Sequence, residues 1–263
     1  MPRYVGAFHV HSAFSDGNLS LEQLANVARA QQLDFVVCAD HAPYLEADQV
    51  AALVQKCAEL SDEALLLVPG LEFELEGRHV VALGPGALLG ELEAGTVVGA
   101  PETVRARGGF TVWAHPAVTF AWTLGRPLQL AYDAWEVWNR RADGSSPCLP
   151  VLRALWKARR RGRPVLALAG TDFHKGDMIP GPFVVVEGPP ELTVSAVLEA
   201  LREGQYQIQG SGGGGSGAIN ARGEGEQPSL PIRLFSVARY ALQRVHCVLA
   251  LARYRCLAGL GFG

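Results

Sequence analysis

Six of the chain's seven histidines sit beside carboxylates or at the ends of short apolar runs. His9-Val-His11 closes the first such run, and Ser15-Asp16-Gly17 follows it in a turn-like stretch. Asp40-His41 closes the second run. Glu72 stands just after the third, in Pro69-Gly70-Leu71-Glu72, and His79 follows seven residues later. His115-Pro116, and then Asp172 and His174 in Gly170-Thr171-Asp172-Phe173-His174, complete the set. In an extended segment, residues two apart face the same side, so His9 and His11 can reach one metal ion. Nitrogen and oxygen donors without cysteine suit zinc, manganese or iron. Nine candidate ligands are too many for one ion. They suit two or three divalent ions, with a carboxylate bridging. Clustered divalent ions lower the pKa of bound water and so provide a hydroxide at neutral pH.

The bland alternative fails only for the set. A single histidine at a strand end is more often a hydrogen-bonded structural residue, by roughly three to one, and an aspartate there usually caps a helix. Neither explains nine such residues in recurring positions. His246, outside the pattern, reads as a surface or packing histidine.

These residues need elements that bring them together. Apolar, β-branched runs predict strands at Tyr4–Val10, Phe35–Ala39, Leu65–Val68, Val80–Leu83, Phe110–Ala114, Ala134–Val137, Val165–Ala169 and Phe183–Val186. Helical spacing lies between many of them. It is clearest over Ser20–Leu33, where Ser20 and Gln23 have capping-box spacing, and recurs over Gln49–Leu60, Leu149–Arg161 and Val194–Glu203. Such alternation predicts an α/β protein with a largely parallel sheet, and the strand number favours a closed barrel. Five strands would then deliver His, Asp or Glu at their C-terminal ends, on the face where barrel active sites lie. His79 starts its strand and would fold back to the same rim across a turn at Leu75–Gly77.

His9-x-His11-x-x-x-Ser15-Asp16-Gly17, Asp40-His41, Glu72, His79, His115-Pro116 and Asp172-x-His174 together resemble the motifs of the PHP (polymerase and histidinol phosphatase) superfamily, in the family's order. The resemblance covers residues 4–208. It implies a distorted (β/α)7 TIM-like barrel with a trinuclear metal centre. It further implies His9, His11, Glu72 and Asp172 on one ion, a bridging Glu72 with His79 and His115 on the second, and Asp16, His41 and His174 on the third. Ala39 and Ser12 stand where many members have Thr, and neither change removes a ligand. Ala134–Asn139 also resembles a family strand.

The chemistry implied is hydrolysis of a phosphate ester, a small monoester or diester such as a nucleotide or sugar phosphate. The other readings are hydrolysis of a non-phosphorus ester or carbamate on the same site, and a non-catalytic metal-binding or nuclease-accessory module. Asp16 or His174 would relay a proton. Arg78, Arg126, Arg140, Arg141 and Lys175 are the candidates for gripping phosphate, with Lys175 foremost because it follows His174. Trp122, after His115-Pro116, is a candidate substrate contact, and Phe120 could line the same pocket. Trp113 and Trp135 read as core. Gly84-Pro85-Gly86 and Gly188-Pro189-Pro190 match no phosphate-binding loop.

Composition bounds the rest. Of 263 residues, 49% are hydrophobic and 19% charged, which excludes a disordered chain. The net charge of −3 is unevenly placed: every acid lies at or before Glu226, and the chain beyond carries five arginines. The acidic part argues against long nucleic acid as substrate. Five scattered cysteines without a CxxC pair suggest reduced thiols, and motifs that begin at His9 leave no room for a cleavable leader, so a cytoplasmic protein is expected. The expected organisation is a metallohydrolase barrel over 1–208, a Gly-rich linker over 209–229, and a short basic, apolar, helical tail over 230–263. The tail is expected to dock on protein, on a second subunit or, less favoured, on a membrane surface.

Overall fold

The computed structural model describes residues 2–75, 77–88, 101–119, 132–188, 190–210, 218–225, 234–246 and 249. The strands are β1 (Arg3–Val10), β2 (Phe35–Cys38), β3 (Asp40–His41), β4 (Leu66–Val68), β5 (Gly70–Leu75), β6 (Arg78–Leu83), β7 (Phe110–Ala114), β8 (Ala134–Asn139), β9 (Leu166–Gly170), β10 (Phe183–Glu187), β11 (Tyr206–Gln209) and β12 (Ile219–Asn220). The helices are α1 (Leu21–Ala30), α2 (Ala47–Leu60), α3 (Pro85–Leu88), α4 (Pro101–Ala106), α5 (Arg140–Asp143), α6 (Leu149–Arg160) and α7 (Val194–Glu203), followed by helical residues 234–246.

The fold is mixed α/β with two six-stranded sheets, ordered β12-β11-β10-β1-β2-β4 and β3-β5-β6-β7-β8-β9. Single residues join them: Ala39 separates β2 from β3, and Pro69 separates β4 from β5. At the other edge the Thr171 N–H donates to Phe8 O at 2.8 Å, and the His11 N–H to Phe173 O at 2.9 Å. The ladders do not close into one ring. Nor is the sheet largely parallel, as expected from the alternation. The pairs β1–β10, β10–β11, β11–β12, β5–β6 and β6–β7 are antiparallel. The β5–β6 hairpin is the clearest reason: too few residues separate the two strands for a crossover helix.

Local signals set the helices. At α1 the Gln23 N–H donates to Ser20 Oγ at 3.3 Å and the Ser20 N–H to Gln23 Oε1 at 2.9 Å, so the expected capping box forms. Leu21, Leu24, Ala25 and Ala28 form its buried stripe. Two large apolar cores and one small cluster result among the described residues. One large core includes Phe8, Phe35, Trp113, Trp138, Leu155 and Leu201, the other Leu24, Val36, Leu53 and Leu67. Burying side chains of this size contributes roughly 1.5–3 kcal/mol each. Cys38, Cys57 and Cys148 are buried free thiols.

The expected boundary at 208 falls inside β11. Residues 218–225, within the stretch read as linker, are part of the fold. Ile219 and Ala221 are buried, and the Ala167 N–H donates to Ala221 O at 2.8 Å. Residues 211–217 and 226–229 of that stretch lie outside the described residues. No described helix is long and apolar enough to cross a membrane.

Candidate metal centre

The nine expected residues meet in one place. Glu72 is the hub. It lies inside β5 rather than after a strand, and only 1% of its surface is exposed. Its Oε1 lies 3.1 Å from both His79 Nδ1 and His115 Nε2. Its Oε2 lies 3.4 Å from His9 Nε2, 3.5 Å from His11 Nε2 and 3.3 Å from His41 Nδ1. Asp16 Oδ1 gathers a second group: His174 Nε2 at 3.3 Å, with His11 Nδ1 and His41 Nε2 at 3.7 Å. Asp172 Oδ1 approaches His174 Nδ1 at 3.4 Å and His11 Nε2 at 3.7 Å.

Two ligands each about 2.1 Å from one tetrahedral ion sit roughly 3.4 Å apart. The observed separations suit that geometry. Among the described residues, three groups of donors are close enough to hold an ion: His11, Asp16, His41 and His174; His9, Glu72 and His115; His9, His11 and Asp172. The first and third correspond closely to sets implied by the family resemblance. In the second, His9 takes the place given to His79, although His79 touches the same carboxylate. Glu72 Oε2, His11 Nδ1 and His115 Nδ1 are buried without a hydrogen-bond partner. Such atoms cost stability unless something ligates them, so the donor set fits divalent metal.

Electrostatics point the same way. Burial opposes charge on His9, but the carboxylates of Glu136 and Glu72 outweigh it and hold its pKa well above the usual range. Burial also works against the Glu72 carboxylate, yet His9, His115 and His79 keep its pKa well below normal. The His11 pKa is pushed down, first by burial and then by the charge of His9. Burial lowers His41 as well, with Glu72 and Asp16 opposing. Asp172 stays low despite burial because His9 and His115 face it.

The backbone bends to place these groups. His9, His115 and Asp172 have φ of 65°, 29° and 53°, leaving Gln32 as the only other non-glycine with positive φ among the described residues. Each such residue costs on the order of 1–3 kcal/mol, and such strain clusters at functional sites. The β1–β2 register shifts between Ala7 and Val10, so His9 and His11 converge through an irregularity and not through regular alternation. Their Nε2 atoms lie 3.1 Å apart.

A surrounding layer of polar side chains supports these ligands. Asp40 accepts from the Ser12 N–H at 2.8 Å, Ser12 Oγ at 2.9 Å and Ser15 Oγ at 2.7 Å, which pins the turn carrying Asp16. Glu136, fully buried, accepts the His115 N–H at 2.7 Å and Asn139 Nδ2 at 2.9 Å. Gly170 leaves space for it, because a Cβ there would overlap the Glu136 carboxylate. Glu136 was legible only as part of the Ala134–Asn139 strand.

The donors open onto a cavity of about 300 Å³ lined by His41, Glu72, His79, His115, Val118, Arg141, Ala142 and Asp172. Among the expected phosphate contacts, Arg141 reaches it; Arg140 and Lys175 do not line it. Arg141 Nη1 lies 3.5 Å from Asp172 Oδ1 and 3.3 Å from both ring nitrogens of His174. Lys175 points to solvent. Arg78 is buried over the Trp113 ring at 5.9 Å, so it is no surface residue. Trp113 and Trp135 are buried, as expected. Trp122, Phe120 and Arg126 lie outside the described residues. His246 is exposed.

No protein-family model matches the chain, and no curated protein matches it. Solved structures do. One is a two-domain protein from Bacteroides vulgatus containing a predicted PHP-like metal-dependent phosphoesterase, with a TM-score of 0.55 and 18% identity over 80% of this chain. This chain covers 65% of that protein's length, just under two thirds. A proposed metal-dependent phosphoesterase from Bifidobacterium adolescentis aligns with a TM-score of 0.47 and 18% identity, over 74% of this chain and 95% of that one. An amidohydrolase from Chromobacterium violaceum, solved with sulfate and no metal, aligns with a TM-score of 0.46 and 16% identity, over 74% and 96%. The chain shares its fold with the PHP-like Bacteroides vulgatus protein, and the nine candidate ligands cluster beside one cavity of this chain.

Proposed function

We propose that this chain is a PHP superfamily phosphoesterase that hydrolyses a small phosphate monoester or diester with two or three divalent ions. The observation that carries the reading is three donor groups linked through the shared His9 and His11, beside a cavity that also holds one arginine. On this reading the two sheets are the parted halves of a distorted (β/α)7 barrel, joined where β2 runs into β3 and β4 into β5.

Divalent ions bound there supply Lewis acidity and lower the pKa of water. The chain's own residues do the rest. His9, His11, Glu72 and Asp172 would hold one ion, His115 and His79 a second through the shared Glu72, and Asp16, His41 and His174 a third. Arg141 binds and orients the phosphoryl oxygens. Where only the first two sites are filled, His174, at the rim and 12% exposed, passes a proton to the leaving oxygen, with Asp16 beside it. Glu136 keeps the His9 ring in one orientation.

Elemental analysis and a substrate panel test this. Protein reconstituted with manganese or zinc should bind two or three ions per chain. It should cleave phosphate esters in preference to carboxylic esters and carbamates. Fewer than one tightly bound ion, or cleavage of only non-phosphorus esters, would overturn the assignment.

A further inference from the structure

The helix over 234–246 meets the domain through its polar side. Ser236 is buried. Its Oγ donates to Pro147 O at 2.9 Å and accepts the Leu149 N–H at 3.4 Å. One turn on, Arg239 Nε donates to Ala142 O at 2.7 Å, and its Nη2 to Arg141 O at 3.2 Å. Gln243 Nε2 also donates to Ala142 O. Leu234, Phe235, Leu242 and Val245 remain exposed. A surface helix usually buries its apolar stripe. This one instead spends its polar groups on one short segment of the domain.

That segment is α5. The last carbonyls of a single-turn helix have no partner within it. Arg239 satisfies two of them, as a basic side chain does at a helix C-terminus. Gly144 makes room: a Cβ there would lie 2.6 Å from Arg239 Nη1, and its φ of 78° suits glycine. The residue whose carbonyl Arg239 holds is Arg141, the arginine that lines the cavity.

We propose that Arg239 is a positioning residue for Arg141. By clamping the C-terminal carbonyls of α5, it keeps the Arg141 guanidinium aimed at Asp172, His174 and an incoming anionic oxygen. The Arg141 side chain is 62% exposed, so its direction depends on the α5 backbone that carries it, which Arg239 holds together with Gln243 and the Asn139 cap. The anion is phosphate on the reading proposed above; the clamp itself is independent of that reading.

The test uses the full chain loaded with Mn²⁺, with Arg239→Gln, Arg239→Lys, Arg141→Gln and the Arg141→Gln/Arg239→Gln double variant. Hydrogen exchange over residues 140–148, metal content, KM, kcat and the inhibition constant of inorganic phosphate are measured. Arg239→Gln should speed exchange in that segment and leave metal content intact. It should raise KM and the phosphate constant by about five- to tenfold, the loss of one partly exposed charged contact, with a smaller change in kcat. Arg239→Lys should fall between it and the parent, and it carries the test if the Gln variant does not fold. The double variant should be no worse than Arg141→Gln, because both changes remove one function. Fully additive effects overturn the proposal. So does unchanged exchange over 140–148. Faster exchange in a protein that neither binds phosphate nor cleaves any ester leaves the clamp standing and removes the phosphate reading.

Discussion

His9 Nδ1 lies 2.7 Å from Glu136 Oε1, with both side chains fully buried. The two residues are 127 positions apart in the chain. The contact leaves His9 Nε2 facing Glu72 and His11. A histidine ligand that gives its second nitrogen to a carboxylate is oriented and made more basic.

Glu136→Gln should therefore weaken metal binding although Glu136 touches no ion. Its two oxygens face His9 Nδ1 on one side, and the His115 N–H and Asn139 Nδ2 on the other. A Gln amide places N–H donors against one of these sets. Metal affinity should fall roughly 10–100-fold, measured by titration in metal-buffered solution. Parent-like affinity would show that the buried carboxylate only fills space.

Glu72→Ala should remove more metal than His79→Ala. The glutamate contacts five histidines, whereas His79 is a half-exposed neighbour of one oxygen. Loss of at least one further ion per chain is expected by elemental analysis. Near-normal metal content and activity in Glu72→Ala would refute its bridging role.

Asp143 offers a pH prediction. Burial pushes its carboxyl up to about 7 from an ordinary 3.8, opposed by the Asn139 N–H and aided by Glu136. Between those values the folded protein holds a proton that the unfolded chain has released. The resulting stability is full below about pH 4 and is lost as pH rises through 7. Asp143→Asn keeps an acceptor for the Asn139 N–H and cannot ionise. In metal-stripped protein it should exceed the parent by on the order of a few kcal/mol at pH 8 and by clearly less at pH 5. Denaturant melts at the two pH values check this; an equal difference at both would disprove it.

The end of the domain can be located by truncation. A chain ending at residue 225 retains β12, whereas one ending at 210 exposes the edge of β11 and loses buried Ile219 and Ala221. The shorter chain should be less stable by about 2–4 kcal/mol, read from urea unfolding. Equal midpoints for the two would place 218–225 outside the cooperative unit.

What the sequence alone determined was local. The nine donors and their spacing were legible because ligand chemistry permits few residue types. The strands and α1 were legible because apolar alternation and a Ser–Gln capping box act over a few residues. The tertiary structure decided what depends on distant groups. The positive φ at His9 and Asp172 is held by β9 meeting β1, which no local pattern encodes. The antiparallel β5–β6 pairing breaks the largely parallel order that alternation suggested. The polar, glycine-rich stretch looked like linker, yet buried Ile219 and Ala221 and the β11–β12 pairing seat 218–225 on the sheet. Arg140 and Arg141 are adjacent and chemically identical. Only the rotation of α5, set by packing and by Arg239 from nearly a hundred residues away, turns one of them to the cavity.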